Sequence, residues 1–202
     1  MAAEPLPRFG ARESADALNS LLSRVSVPPR LLVEPGPSQA EIEAILKAAM
    51  RAPDHGNLKP VRFILVRGPA RAKLGDLFAQ ATKQREPNAE EALLERVRTW
   101  PRTTPLTIAL VAHTTPGHKI PVSEQTLSAA ASGANVLNAM HALGYAGMWV
   151  TGANAYDPFV QKALGIGENE ILLGFIGIGT APAAYDGREP PVREAAVSDW
   201  NG

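Results

Sequence analysis

Cysteine is absent from the 202-residue chain, which excludes disulfides, thiolate catalysis and cysteine metal sites. Neither sign of charge dominates, since Lys+Arg and Asp+Glu are each 20; the basic footprint of a nucleic-acid binder is missing. No apolar run approaches the roughly 18–20 residues that span a bilayer. Residues 1–12 lack the apolar stretch of a signal peptide. A soluble cytoplasmic protein, with neither nucleic acid nor membrane as partner, is the expectation. Catalytic signatures are also missing. There is no G-x-S-x-G elbow and no P-loop. The glycines of residues 174–179 lie inside a strand pattern rather than at a strand-to-helix turn, so they make no dinucleotide fingerprint. His55, His113, His118 and His141 have no spacing that suggests a metal, and no carboxylate pair stands out. His113 and His118 read as solvated loop residues, and His141 as partly buried packing. A chain without nucleophile, metal or acid pair is a candidate for chemistry carried by a bound cofactor.

An apolar fraction of 45% is enough for a real core, and the length suits one domain. Residues 1–13 read as a flexible tail and residues 14–202 as a single domain. Ala15, Leu18, Leu21 and Leu22 recur at helical spacing after Ser14, a plausible N-cap. Pro28 and Pro29 stop that helix. Ser38 and Glu41 form a capping box ahead of Ile42, Ile45, Leu46 and Ala49. Residues 61–66 are β-rich and end at Gly68-Pro69. Two helical stretches follow at 70–83 and 89–99, the second ended by Trp100-Pro101, with residues 83–98 a charged surface excursion. Residues 106–112 form a nearly continuous apolar run, as in a buried strand.

The longest helix spans residues 123–143, with Gly144 as its C′ residue. Its small residues, 129–134, suit either core packing or close approach of another backbone or flat ligand. A strand at 145–151, a helix at 157–164 and an apolar strand at 171–178 follow, with a polar tail from Ala183. The order predicts an α/β or α+β chain with one sheet flanked by helices.

Between the second helix and the first strand, residues 50–63 hold Arg51, Asp54, His55, Asn57 and Lys59 among Pro53, Gly56 and Pro60. Rigid punctuation around five polar side chains suits a ligand cradle, although an ordinary polar loop has the same composition. Asp54 reads as a loop cap. Arg24 is a permanently charged fork suited to phosphate, and Ser26 adds a hydroxyl; a solvated arginine at a helix end is the bland alternative. Lys59 has an exposed lysine as its bland alternative, and Trp149 a core residue.

Three segments, in order, resemble the nitroreductase family of flavoproteins. They are Arg24-Val25-Ser26; Met50 to His55 with Lys59 to Phe63; and Leu143 to Gly152. Gly174 to Pro182 is similar to the family's closing strand. The resemblance covers roughly residues 15–183 and is nearest to the short YdjA-like NAD(P)H nitroreductases. It implies an α+β fold of three-layer α/β/α type with a mixed central sheet. It also implies bound FMN and an intertwined homodimer with flavins at the interface. Hydride would pass from NADH or NADPH to flavin N5 and then to a nitroaromatic or quinone-like acceptor, in ping-pong order. By resemblance the cofactor contacts are Arg24, Val25, Ser26, Arg51, His55, Lys59, Trp149, Val150 and Thr151. Ala139, Met140, His141, Ala142, Leu143 and Gly144 would meet the nicotinamide nucleotide. No side chain is implied as catalytic, and no metal.

The chain departs from the family's pattern at four places. Val25 replaces a basic residue, and Arg30 is displaced by an insertion containing Pro28-Pro29. Val61 stands where an aromatic often follows the proline, and Val150 where the short branch can carry arginine. Arg188 or Arg193 is a candidate for an additional phosphate contact. These losses leave open a second reading, a non-catalytic flavin-binding dimer used for storage or sensing.

Overall fold

The computed structural model describes residues 11–183, Tyr185 and residues 198–200. Helix α1 (Ala11–Ser23) starts before the expected cap. Ser14 therefore lies inside the helix, because Ala11, Arg12 and Glu13 are all good helix formers. Helix α2 (Gln39–Ala49) has both halves of the expected capping box between Ser38 and Glu41. Strand β1 (Val61–Arg67) leads into α3 (Ala70–Arg85) and α4 (Glu91–Thr103).

Pro101 does not end α4 as expected but sits in its last turn. Thr104 closes that turn from beyond it, donating its N–H (3.1 Å) and its hydroxyl (2.7 Å) to the Trp100 carbonyl. Nor is α4 only a surface excursion. Leu94 is buried, and the Trp100 ring packs 5.6 Å from Phe78. Strand β2 (Leu106–His113) is buried from Leu106 to Ala112, as its apolar run requires. Helix α5 (Val122–Ala142), β3 (Ala146–Val150), short helices α6 (Gly152–Tyr156) and α7 (Pro158–Ala163), and β4 (Glu170–Gly179) complete the chain. Among the described residues no helix is long and apolar enough to cross a membrane.

The strands order as β1-β2-β4-β3, each neighbouring pair antiparallel. The parallel component of the expected mixed sheet is one bridge, Ser26 with Gly147, where the segment after α1 runs alongside β3. Three layers result. One face of the sheet presents Ile108, Leu110, Ile176 and Ile178 to Ile42 and Ile45 of α2 and Val136 and Met140 of α5. The other presents Ala109, Val111 and Phe175 to Leu74 and Phe78 of α3 and Val160 of α7. The fold is α+β, as the sequence predicts.

Two glycines set how closely these layers approach. A Cβ on Gly133 would lie 2.5 Å from Leu110 Cδ2 and 2.9 Å from Trp149 Cζ3. Gly174, at φ 134°, sits at the register shift between β2 and β4, and a Cβ there would meet Trp149 Nε1 and the Val150 carbonyl at 2.6 Å. The small stripe of α5 is thus a core-packing face where it crosses the sheet.

At the far end of the sheet Arg62 of β1 clasps Glu170 of β4 through Nε (2.7 Å) and Nη2 (2.6 Å). Chiefly for that reason the Glu170 carboxyl is held at about 2, against an ordinary 4.5, with the Gly167 N–H also donating to it.

Two outcomes follow from this packing. Gly133→Ala is expected to cost about 1–3 kcal/mol by overpacking, read as a lower urea midpoint at unchanged slope. Because the folded pKa of Glu170 is depressed, its contribution is complete above pH 4.5 and is lost as pH falls towards 2;. The stability gap between wild type and Glu170→Gln should therefore narrow over that window in urea titrations.

Candidate functional site

The loop that precedes β1 is shaped by its own carboxylate. Asp54 accepts the Leu58 N–H at 3.1 Å and the Lys59 N–H at 2.7 Å, the capping role its sequence position suggests. Those bonds hold Asn57 (φ 54°) and Lys59 (φ 53°) in the left-handed region, which costs non-glycine residues about 1–2 kcal/mol each;. His55 donates Nδ1–H to Glu124 of α5 at 2.8 Å. Arg51, His55 and Lys59 are all exposed. Arg51, Asp54, Asn57 and Lys59 line a cavity of about 480 Å³ whose α5 wall includes Ser128 and Ser132.

The second group of residues leaves α1 and pairs with β3. Val27 N–H donates to the Gly147 carbonyl at 3.1 Å, and the Tyr185 hydroxyl donates to the Ser26 carbonyl at 2.9 Å. Val25 is half-buried and Ser26 exposed. Arg24 is half-buried, yet its Nη1 is fully enclosed and has no hydrogen-bond partner among the described residues. An enclosed guanidinium N–H without an acceptor is costly, and an anionic oxygen is the partner that suits it best.

Ser23 Oγ and His141 Nε2, 3.0 Å apart, tie the end of α1 to the end of α5. Ala139 to Gly144 are therefore neighbours of this segment. Of these, Met140 is buried in the core, while Ala142, Leu143 and Gly144 are exposed.

The residues of β3 divide between the two faces of the sheet. Trp149 packs toward α5 and donates Nε1–H to the Leu173 carbonyl at 3.0 Å, so its indole nitrogen is committed to the core. Val150 packs on the opposite face, and Thr151 is exposed at the strand's end. Val150 and Thr151 line a second cavity, of about 390 Å³, against Arg30 and the α4 residues Val97 and Trp100. Arg188 and Arg193 lie outside the described residues.

The structure brings residues 24–26, 139–144 and 149–151 to one edge of the sheet, but not Arg51, His55 and Lys59. Ser26 sits level with Leu106, while the loop enters β1 level with Ala112. That offset is about 20 Å along the strands, and the four strand spacings between them add about 19 Å across. Residues 24–26 thus lie roughly 25–30 Å from the loop diagonally within one chain on these spacings, while Val150, level with Ala109 and three strand spacings from β1, lies roughly 17 Å from its start;.

Several lining residues escaped the sequence reading. Ser128 lies one turn before Ser132, which falls in the 129–134 stripe open to a flat ligand, and Arg96 lies one turn before Trp100 on α4, so a shared helix face was the available signal. Glu124 as the partner of His55 had no signal in the sequence. Among the described residues no group of three or more His, Asp or Glu side chains could hold a metal ion.

Comparison with known proteins places these features in a family. Residues 21–180 match the nitroreductase family model. YdjA of Escherichia coli K12, named by assignment as an NAD(P)H nitroreductase, is 33% identical over 165 residues, covering 82% of this chain and 88% of its own. A protein of Haemophilus influenzae with the same assignment is 32% identical over 185 residues, covering 91% and 95%. The fold is shared with a nitroreductase-like family protein of Bacillus cereus, at TM-score 0.77 and 20% identity over 98% of this chain and all of that one. It is shared too with an FMN-dependent nitroreductase of Mycobacterium smegmatis solved in complex with NADPH, at TM-score 0.73 and 18% identity over 94% and 100%.

Asp54→Ala is expected to cost about 1–2 kcal/mol by orphaning two backbone donors. Limited proteolysis should then cut the loop around residues 54–59 faster than in wild type.

Proposed function

The chain belongs to the nitroreductase family, and on that premise we propose that it is an FMN-dependent NAD(P)H oxidoreductase reducing a nitroaromatic or quinone-like small molecule. One observation carries the reading: the enclosed Nη1 of Arg24, unpartnered among the described residues, two positions before the exposed Ser26. That donor set suits a phosphate monoester, and it lies along β3 from an apolar-walled cavity of about 390 Å³;. The residues present fit FMN. Bound there, FMN would supply the redox chemistry in two half-reactions, accepting hydride from NADH or NADPH and then passing electrons to the acceptor.

The chain's own residues bind and orient. Arg24 and Ser26 would hold the phosphate, with Val25 contributing through its backbone. Val150 and Thr151 would border the ring, with Phe78, Val97 and Trp100 lining the cavity behind them. Trp149 acts from beneath, stiffening β3 through its bond to Leu173. Residues 139–144, at the same edge, are positioned for the nicotinamide nucleotide. No side chain takes a covalent or acid–base role.

The diagonal separation bears on assembly. Arg51, His55 and Lys59 stand roughly 25–30 Å from residues 24–26 of their own chain, too far to join them at one phosphate. They can serve a cofactor held by a second copy, so we assign the working form as a homodimer whose sites are shared. The exposed apolar side chains Leu18, Leu21 and Leu22 on α1 and Leu127 on α5 suit such an interface;.

The purified protein should show flavin absorption bands that bleach when NADPH or NADH is added anaerobically, and bands that return when a nitroaromatic is admitted. Failure to bind FMN at any concentration would sink the reading. Arg24→Ala is expected to raise the FMN dissociation constant about 10–100-fold, measured by flavin fluorescence quenching, while Arg24→Lys should recover part of the loss.

A further inference from the structure

The segment that leaves β3 has little of its own to hold it in place. Thr151, Gly152 and Ala153 are exposed, and the chain turns at Gly152 with φ 66°, a conformation that glycine adopts freely and so does not stiffen;. Helix α6, which begins at Gly152, has five residues, too few to be stable without outside contacts;. Yet residues 150–154 wall the cavity of about 390 Å³. Among the described residues one side-chain hydrogen bond reaches residues 151–154, from Arg85 Nη2 to Asn154 Oδ1 at 2.9 Å.

Arg85, the last residue of α3, is itself anchored from the other side. Its Nη1 pairs with Asp157, and its Nη2 also donates to Thr82 Oγ1 at 3.2 Å. Asp157 is buried and caps α7, accepting the Phe159 N–H at 2.8 Å. Burial alone would push the Asp157 carboxyl up, but Arg85 and the Phe159 N–H outweigh it and hold it below its ordinary range. A buried carboxylate keeps its cation, because leaving it unpaired is costly. One planar fork thus joins three elements, with Nη1 pinned by Asp157 and Nη2 presented to Asn154;. The Asp157 arm fastens α7 to α3 and belongs to the fold. The Asn154 arm fastens an exposed turn, and that turn borders the cavity.

We propose that Arg85 is a positioning residue for the cofactor's ring: acting through Asn154, it fixes the turn of Thr151 to Ala153 where the ring requires it. The proposal rests on the flavin reading above. Groups bordering a reacting ring must stay within about 0.5 Å of their productive places, and a misplacement of about 1 Å can cost about 100-fold in rate. One hydrogen bond to an exposed turn adds little to global stability. Its loss therefore shows in the ring's surroundings and not in the folding equilibrium.

The test uses Asn154→Ala, Arg85→Lys and the double variant, each loaded with FMN. Lysine keeps a cation for Asp157 but cannot span to Asn154 as well. Each variant should keep a urea midpoint close to that of wild type and bind FMN within about threefold of it. The visible circular dichroism of the bound flavin, which reports the ring's surroundings, should change. Anaerobic reduction of the flavin by NADPH or NADH should slow about tenfold. The double variant should match the single ones, because both remove the same contact. Unchanged dichroism and reduction rate in Asn154→Ala, losses that add in the double variant, or losses that follow a falling urea midpoint would overturn the proposal. Should Arg85→Lys fail to fold, Asn154→Ala decides on the same readouts. Wild type that binds no FMN removes the flavin reading and this proposal with it. Wild type whose bound flavin neither nucleotide reduces removes the oxidoreductase reading alone, and the dichroism of Asn154→Ala then decides the positioning role.

Discussion

Helix α5 settles on the sheet as deeply as residue 133 permits. With no Cβ there, Leu110 and the Trp149 ring occupy the space a side chain would take. That depth decides three other placements. It fixes Trp149 over the sheet with its N–H on Leu173, and so the course of β3. It carries Ser128, Ser132 and Glu124 to the loop before β1. It also delivers the helix end to α1 through His141 and Ser23. A helix standing off even one methyl's width would loosen all three contacts, because packed interiors transmit displacement rather than absorb it.

The parts of the molecule that were legible in the sequence are those governed by neighbours in the chain. The Ser38–Glu41 box, the buried run of β2 and the stop at Gly144 each depend on residues a few positions apart, and each appears as expected. The misread boundaries have local causes that compete with a rule. Helix formers ahead of Ser14 extend α1, and Thr104 closes a turn across Pro101. The five-residue α6 is too short to carry a periodic signal;.

The candidate site divides along the same line. Asp54 could be read as a cap because its partners, Leu58 and Lys59, are four and five residues away. The enclosure of Arg24 Nη1, the cavity behind Val150 and the committed state of Arg85 arise from segments distant in sequence. Composition and spacing hold no trace of them. The resemblance supplied which residues to watch. Only the register of the strands revealed that two of the groups stand at opposite corners of one sheet.

The tryptophans have a consequence for observation. Trp149 lies between α5 and the sheet, and Trp100 lies between α4 and the opposite face, so the two indoles belong to different layers of one molecule. Trp200, by contrast, is 90% exposed. The chain therefore carries its own optical labels, one per layer and a third in solvent. Light emitted from each reports a separate neighbourhood, and loosening of one layer can be watched apart from the other without attaching any dye.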